Sequence, residues 1–173
     1  MIILLRVMIA VIAVFGLLSP GMAEARKVAL IIGNSDYEFA SPLRNPKNDV
    51  ALIAEAAREA NFDEVIVVEN LGSDAFEIAL RQFATTSDGA DVAMVYYAGH
   101  GIEGRGENWL IPVDAKLLSD RDLKFEVIEL DMVVESMAGA QVRMVILDAC
   151  RNSPFGQKWK SGTRAVSRGL AGV

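Results

Sequence analysis

The sequence predicts an α/β domain of three layers built on a mainly parallel sheet. Four short apolar runs carry this reading: "KVALIIGN" at 27–34, "EVIVVE" at 64–69, "DVAMVYYA" at 91–98 and "VRMVILDA" at 142–149. None alternates polar with apolar residues, as a half-exposed strand would, so each reads as a strand buried on both faces. Helical segments separate them, and that succession is what parallel crossovers require. With 173 residues the chain is long enough for one domain with a substantial core.

The elements follow in order. After the first strand, Gly33-Asn34 marks a turn, and "NPKNDVALIAEAAREANF" opens with Asn45 as a cap and Pro46 at the first helical position. Ile53, Ala56, Ala57 and Ala60 give that helix an apolar stripe. The second strand leads to "SDAFEIALRQFA", where Phe76, Ala79, Leu80 and Phe83 recur at helical spacing. The third strand is followed by a short extended piece, "NWLIPVD", and a short helix, "VIELDMVVESM", before the fourth strand. There are no internal repeats and no low-complexity segments.

The first residues stand apart. "MIILLRVMIAVIAVFGLLSPGMAEA" has one basic residue, Arg6, then an apolar run to Leu18, a Ser-Pro-Gly break and small residues before Ala23 or Ala25. This is the layout of a secretory signal peptide over residues 1–23. The apolar run falls short of the roughly 20 residues that span a bilayer, so a retained anchor is the weaker reading. The expected product is exported, to a periplasm or beyond the cell, and free of the membrane after cleavage.

The chain carries a net charge of −6, and 52 % apolar against 23 % charged residues exclude wholesale disorder. No basic face or run of Arg and Lys interleaved with aromatics suggests nucleic acid. The acidity is uneven. Lys158, Lys160, Arg164 and Arg168 lie in an acid-free stretch, "GQKWKSGTRAVSRGLAGV", which sets a basic tail or linker at 156–173 apart from the domain at 24–155.

The third and fourth strands each stop on a reactive side chain. His100 follows "DVAMVYYAG" and is the single histidine; Cys150 follows "RMVILDA" and is the single cysteine. The carboxyl ends of parallel strands converge on one edge, where ligand sites form. Both residues are therefore expected on loops at that edge, on strands that can be neighbours. An imidazole beside a thiol can take its proton and later deliver it to a leaving amine. The N–H groups of Gly101 and Cys150 are candidate donors to an oxyanion. A surface histidine and a core cysteine are the plain alternatives, and spacing alone does not decide between them.

"YYAGHG" and "DACRN", with "ALIIGNSDY" and "LRNPKNDV" upstream, resemble the large, p20-type catalytic subunit of caspase-like cysteine peptidases, and within them the bacterial metacaspase-like branch. A histidine about 50 residues before the cysteine is the caspase arrangement. The resemblance covers nearly everything after residue 23. It implies a cysteine endopeptidase with Cys150 as nucleophile and His100 as general base and acid, working as a dyad without a third member. It implies oxyanion donors at Gly101 and Cys150, and a protein or peptide substrate.

The caspase signature has Gln two residues before the cysteine, whereas this chain has Asp148. In metacaspase-like relatives that acid, with one at the position of Asp49, lines the pocket for the residue preceding the cut. Two carboxylates favour Arg or Lys there and repel an aspartate. The bland alternatives are an acid in the first turn of a helix for Asp49 and a strand end for Asp148.

Asp114, Asp120 and Asp122 resemble the calcium sites of some metacaspases only loosely, so no resident cofactor is expected, with calcium as the weaker alternative. Caspase-like folds continue past the cysteine with small-subunit strands, and this chain is expected to lack them. The edge beside the fourth strand would then invite self-association or a partner that completes the sheet. The competing class is a non-catalytic, exported caspase-like module that binds proteins, or a truncated subunit dependent on a partner.

Overall fold

The computed structural model describes residues 24–104, 106–119, 121–150 and 166–167. The expected signal peptide at 1–23, the four basic residues of the tail and Asp120 lie outside the described residues.

Four strands form a parallel sheet. β1 (Lys27–Gly33) pairs with β2 (Glu64–Glu69) on one side and β3 (Val92–Gly104) on the other, and β3 pairs with β6 (Val142–Cys150). These are the four runs read from the sequence. β4 (Glu107–Leu110), β5 (Ile128–Glu129) and β7 (Val166–Ser167) join antiparallel, β4 and β7 on β3 and β5 on β4. The mainly parallel expectation is thus matched in part: the four long strands run parallel, and three short ones are added antiparallel. The physical reason is β3, which runs on past the end of β1 to Gly104, where the freed edge is filled by the hairpin return to β4.

Helices cover both faces, giving the three layers. α1 (Pro46–Glu59) packs Val50, Ala54 and Ala57 on Ala29, Ile31, Met94, Tyr96 and Ala98. So many alanines let the helix come close. A Cβ added at Gly33 would lie 2.6 Å from Val50 Cγ2, so glycine is needed at that contact. On the other face, α2 (Ser73–Ser87) sends Phe76, Leu80 and Phe83 onto Val28, Leu30, Ile32, Val95 and Tyr97. Val133 and Met137, from α4 (Leu130–Glu135) and the turn after it, join that cluster. The segment read as one short helix, "VIELDMVVESM", is divided between β5 and α4, and a further short helix, α3 (Leu123–Glu126), precedes it. A third apolar cluster, with Tyr37, Ile102, Trp109, Ile111 and Leu117, lies beneath the loops that carry the site.

β6 follows the same alternation. Val145, Leu147 and Ala149 pack on the α2 side, whereas Val142, Met144 and Ile146 are 51 %, 41 % and 39 % exposed. Among the described residues no helix is long and apolar enough to cross a membrane.

Candidate active site

His100 and Cys150 are register partners, the last pair of the β3–β6 ladder. Neighbouring strands lie about 4.8 Å apart, so the chain brings its single histidine beside its single cysteine. The expectation of a shared edge holds, but the expectation of loops does not. His100 lies inside β3, because that strand keeps pairing with β6 after β1 has ended at the level of Ala98.

The imidazole is held from several directions. His100 is 4 % exposed. Its Nε2 lies 2.8 Å from the carbonyl oxygen of Ser41. A carbonyl can only accept, so Nε2 carries the hydrogen and the neutral ring leaves its lone pair on Nδ1. Nδ1 is buried and has no hydrogen-bond partner among the described residues. Burial without a counter-charge lowers the pKa below the ordinary 6.5, and the Ser41 bond opposes this more weakly. The result is a neutral imidazole whose basic nitrogen has no partner among the described residues. The Tyr37 ring packs against it, with centroids 4.4 Å apart.

Two tyrosine hydroxyls fix the backbone here. His100 N–H donates to Tyr37 Oη at 2.8 Å, and the one hydrogen of Tyr97 Oη lies within reach of two carbonyls, those of His100 (2.8 Å) and Ile111 (3.1 Å). The two hydroxyls lie 3.3 Å apart. Both press on Gly99: a Cβ there would collide with Tyr97 Oη and lie 2.7 Å from Tyr37 Oη, so no larger residue fits before His100.

The loop from β1 to α1 supplies Ser41, and polar side chains hold it in place. Buried Asn34 accepts from Leu71 N–H at 2.9 Å and donates to the Ile111 carbonyl at 3.2 Å. Asn70 Oδ1 accepts from the N–H groups of Ser35 and Asp36. Sequence reading missed Ser41, Tyr37 and Tyr97. The motif "ALIIGNSDY" held Tyr37, but a backbone carbonyl has no signature in any sequence.

Asp49 and Asp148 line one cavity of about 370 Å³ beside Gly99. Asp49 comes from the first turn of α1 and Asp148 from β6, opposite Ala98. Arg44, Asn45 and Pro46 line it too. Two carboxylates against one guanidinium leave the cavity net negative. Tyr96 Oη donates to Asp148 Oδ2 at 3.3 Å.

The acids considered for calcium are engaged separately. Asp114 accepts from Ser73 N–H at the start of α2, and Asp122 accepts from the N–H and hydroxyl of Ser119. Among the described residues no group of three or more His, Cys, Asp or Glu could hold a metal. A second cavity, about 410 Å³ and lined by Glu107, Trp109, Phe125 and Glu129, includes none of the residues singled out from the sequence.

Comparison with known proteins decides the family. The caspase domain model, Peptidase_C14, matches residues 26–169. This chain belongs to the caspase family. It is 33 % identical over 127 residues to the human mucosa-associated lymphoid tissue lymphoma translocation protein 1, and 34 % identical over 129 residues to the mouse homologue. Each alignment covers 72 % of this chain and 15 % of the relative, so the chain spans a small part of those proteins' length. Membership supports protease-like function and a cysteine-peptidase type of enzyme in general.

Proposed function

We propose that this caspase-family chain is a cysteine endopeptidase of the metacaspase-like kind, cutting after Arg or Lys with Cys150 and His100. The observation that carries the reading is the state of His100: Nε2–H committed to Ser41, Nδ1 buried without a partner among the described residues, and Cys150 next to it in register. A histidine that served only the core would have both nitrogens satisfied.

In the proposed reaction the thiol proton passes to Nδ1, and the thiolate sulfur adds to the scissile carbonyl carbon. Charge collects on the carbonyl oxygen. By the family resemblance, the N–H groups of Gly101 and Cys150 are the donors proposed for it. Collapse of the adduct expels the amine, which takes the proton from the imidazolium. Water, deprotonated by Nδ1, then hydrolyses the thioester and restores the thiol. Asp49 and Asp148 receive the side chain preceding the cut, and their net negative cavity supports a cationic one.

Export through residues 1–23 belongs to this proposal, and rests on the signal-peptide layout of the sequence. So does docking of a second copy or a partner at β6, supported by the exposure of Val142, Met144 and Ile146. The test is purified full chain incubated with Arg-, Lys- and Asp-ended fluorogenic peptides, with and without calcium, beside Cys150→Ala and His100→Ala. Cleavage of the first two peptides, lost in both variants, is expected. Turnover of the Asp peptide alone, or turnover that survives Cys150→Ala, would overturn it.

A further inference from the structure

We propose that Tyr96 is a positioning residue for substrate choice: its hydroxyl, donated to Asp148 at 3.3 Å, holds that carboxylate over the cavity shared with Asp49. The inference rests on the reading of that cavity as the pocket for a cationic side chain.

Asp148 is exposed, two residues from the end of β6. An exposed carboxylate left to itself samples several rotamers, and ordering it when a cation arrives costs affinity. Tyr96 removes that freedom. It is 3 % exposed, and its ring belongs to the apolar cluster that α1 forms with β1 and β3. Because Tyr96 pairs with Ile146 and Ala98 with Asp148, Tyr96 and Asp148 are diagonal neighbours on adjacent strands. A rigid ring in the core thus reaches out to an exposed acid. A core tyrosine merely satisfying its hydroxyl has no need of a partner that lines a cavity.

The electrostatics agree. Burial first, then the charges of Asp148 and Asp49, push Tyr96 ionisation far above its ordinary value. The hydroxyl therefore stays protonated and can only be a donor toward the carboxylate. Both pocket acids act on this hydroxyl, so it lies where their fields meet.

The experiment compares Tyr96→Phe, Asp148→Asn and the double variant of the full chain on an Arg-ended and a norleucine-ended peptide. Tyr96→Phe is expected to raise KM for the Arg peptide about fivefold with kcat nearly unchanged, the effect of one lost hydrogen bond of ordinary strength, as suits its 3.3 Å length. The norleucine peptide should not respond. In the Asp148→Asn background, Tyr96→Phe should add nothing. An equal rise in both backgrounds, or a fall in kcat for both peptides, would show a merely structural tyrosine and overturn the proposal. If Asp148→Asn itself leaves KM for the Arg peptide unchanged, the pocket reading fails and takes this one with it. Asp148→Glu keeps the charge but moves it off the hydroxyl. It should raise KM likewise, and an unchanged value there overturns the proposal even where Tyr96→Phe does not fold.

Discussion

Tyr37→Phe isolates one atom of the site. The substitution keeps the ring that packs 4.4 Å from the His100 imidazole and removes only the oxygen. That oxygen accepts the buried His100 N–H at 2.8 Å and lies 3.3 Å from Tyr97 Oη. Tyr97 retains its two carbonyl acceptors, on His100 and Ile111, so the principal loss is the acceptor for one backbone N–H. A buried donor left without a partner costs about 1–3 kcal/mol. For a domain of this size each kcal/mol moves the thermal midpoint by about 2–4 °C, so a fall of about 6 °C is expected. Thermal circular dichroism on the full chain measures it, with Tyr37→Ala as the control that removes the ring and costs more. The same change frees the His100 backbone to shift, and small misplacements of a reacting group are costly in rate. The reduction should therefore appear in kcat rather than KM. A midpoint within about 1 °C of the parent would refute the assignment of Tyr37 as the acceptor that fixes His100.

Other outcomes follow from the same geometry. In a Cys150→Ala chain, the single imidazole should titrate by NMR below 6.5 with its hydrogen on Nε2; a midpoint above 6.5, or the other tautomer, contradicts the burial described. Because folding depresses this pKa, the unfolded chain binds the proton more readily. The associated stability is present above pH 6.5 and is lost as pH falls through the folded-state pKa, which a urea series at several pH values reads directly. Asn34→Leu strands Leu71 N–H, while the Ile111 carbonyl keeps Tyr97 as a donor, and should cost about 1–3 kcal/mol in urea unfolding; a loss below about 0.5 would mean that water replaces the side chain. Gly33→Ala forces a methyl onto Val50 and should cost about 1–3 kcal/mol, partly relieved by Val50→Ala. Since α1 carries Asp49, Gly33→Ala should also raise KM for Arg peptides, and purely additive losses in the double variant would disprove direct contact.

The fold was legible where the apolar runs are unbroken, although one face of β6 is exposed. β1, β2, β3 and β6 are continuous apolar runs, and α1 and α2 have stripes that match the faces they cover. β4 was not legible as a partner of β3, nor β5 as a partner of β4, because "ENWL" and "IE" are too short to carry periodicity and are placed by the hairpin and by the apolar cluster they join. Within the site, Asp49 and Asp148 were singled out through the resemblance to metacaspase-like relatives, and the structure brings both to one cavity. Ser41 could not, since it acts through a carbonyl that every residue possesses. Tyr37 and Tyr97 were hidden for the opposite reason: an aromatic beside a strand reads as core, and only coordinates reveal where its oxygen goes.

One consequence of β6 concerns how the chain tolerates insertion and deletion. Its nine residues carry, at fixed offsets, a position lining the cavity shared with Asp49 and another abreast of His100. Sliding this ribbon by a single notch along β3 would displace both at once and turn Val145 and Leu147 outward. The cavity and the strand pairing beside His100 are therefore indexed on one ruler, and length changes within it cannot alter one while sparing the other.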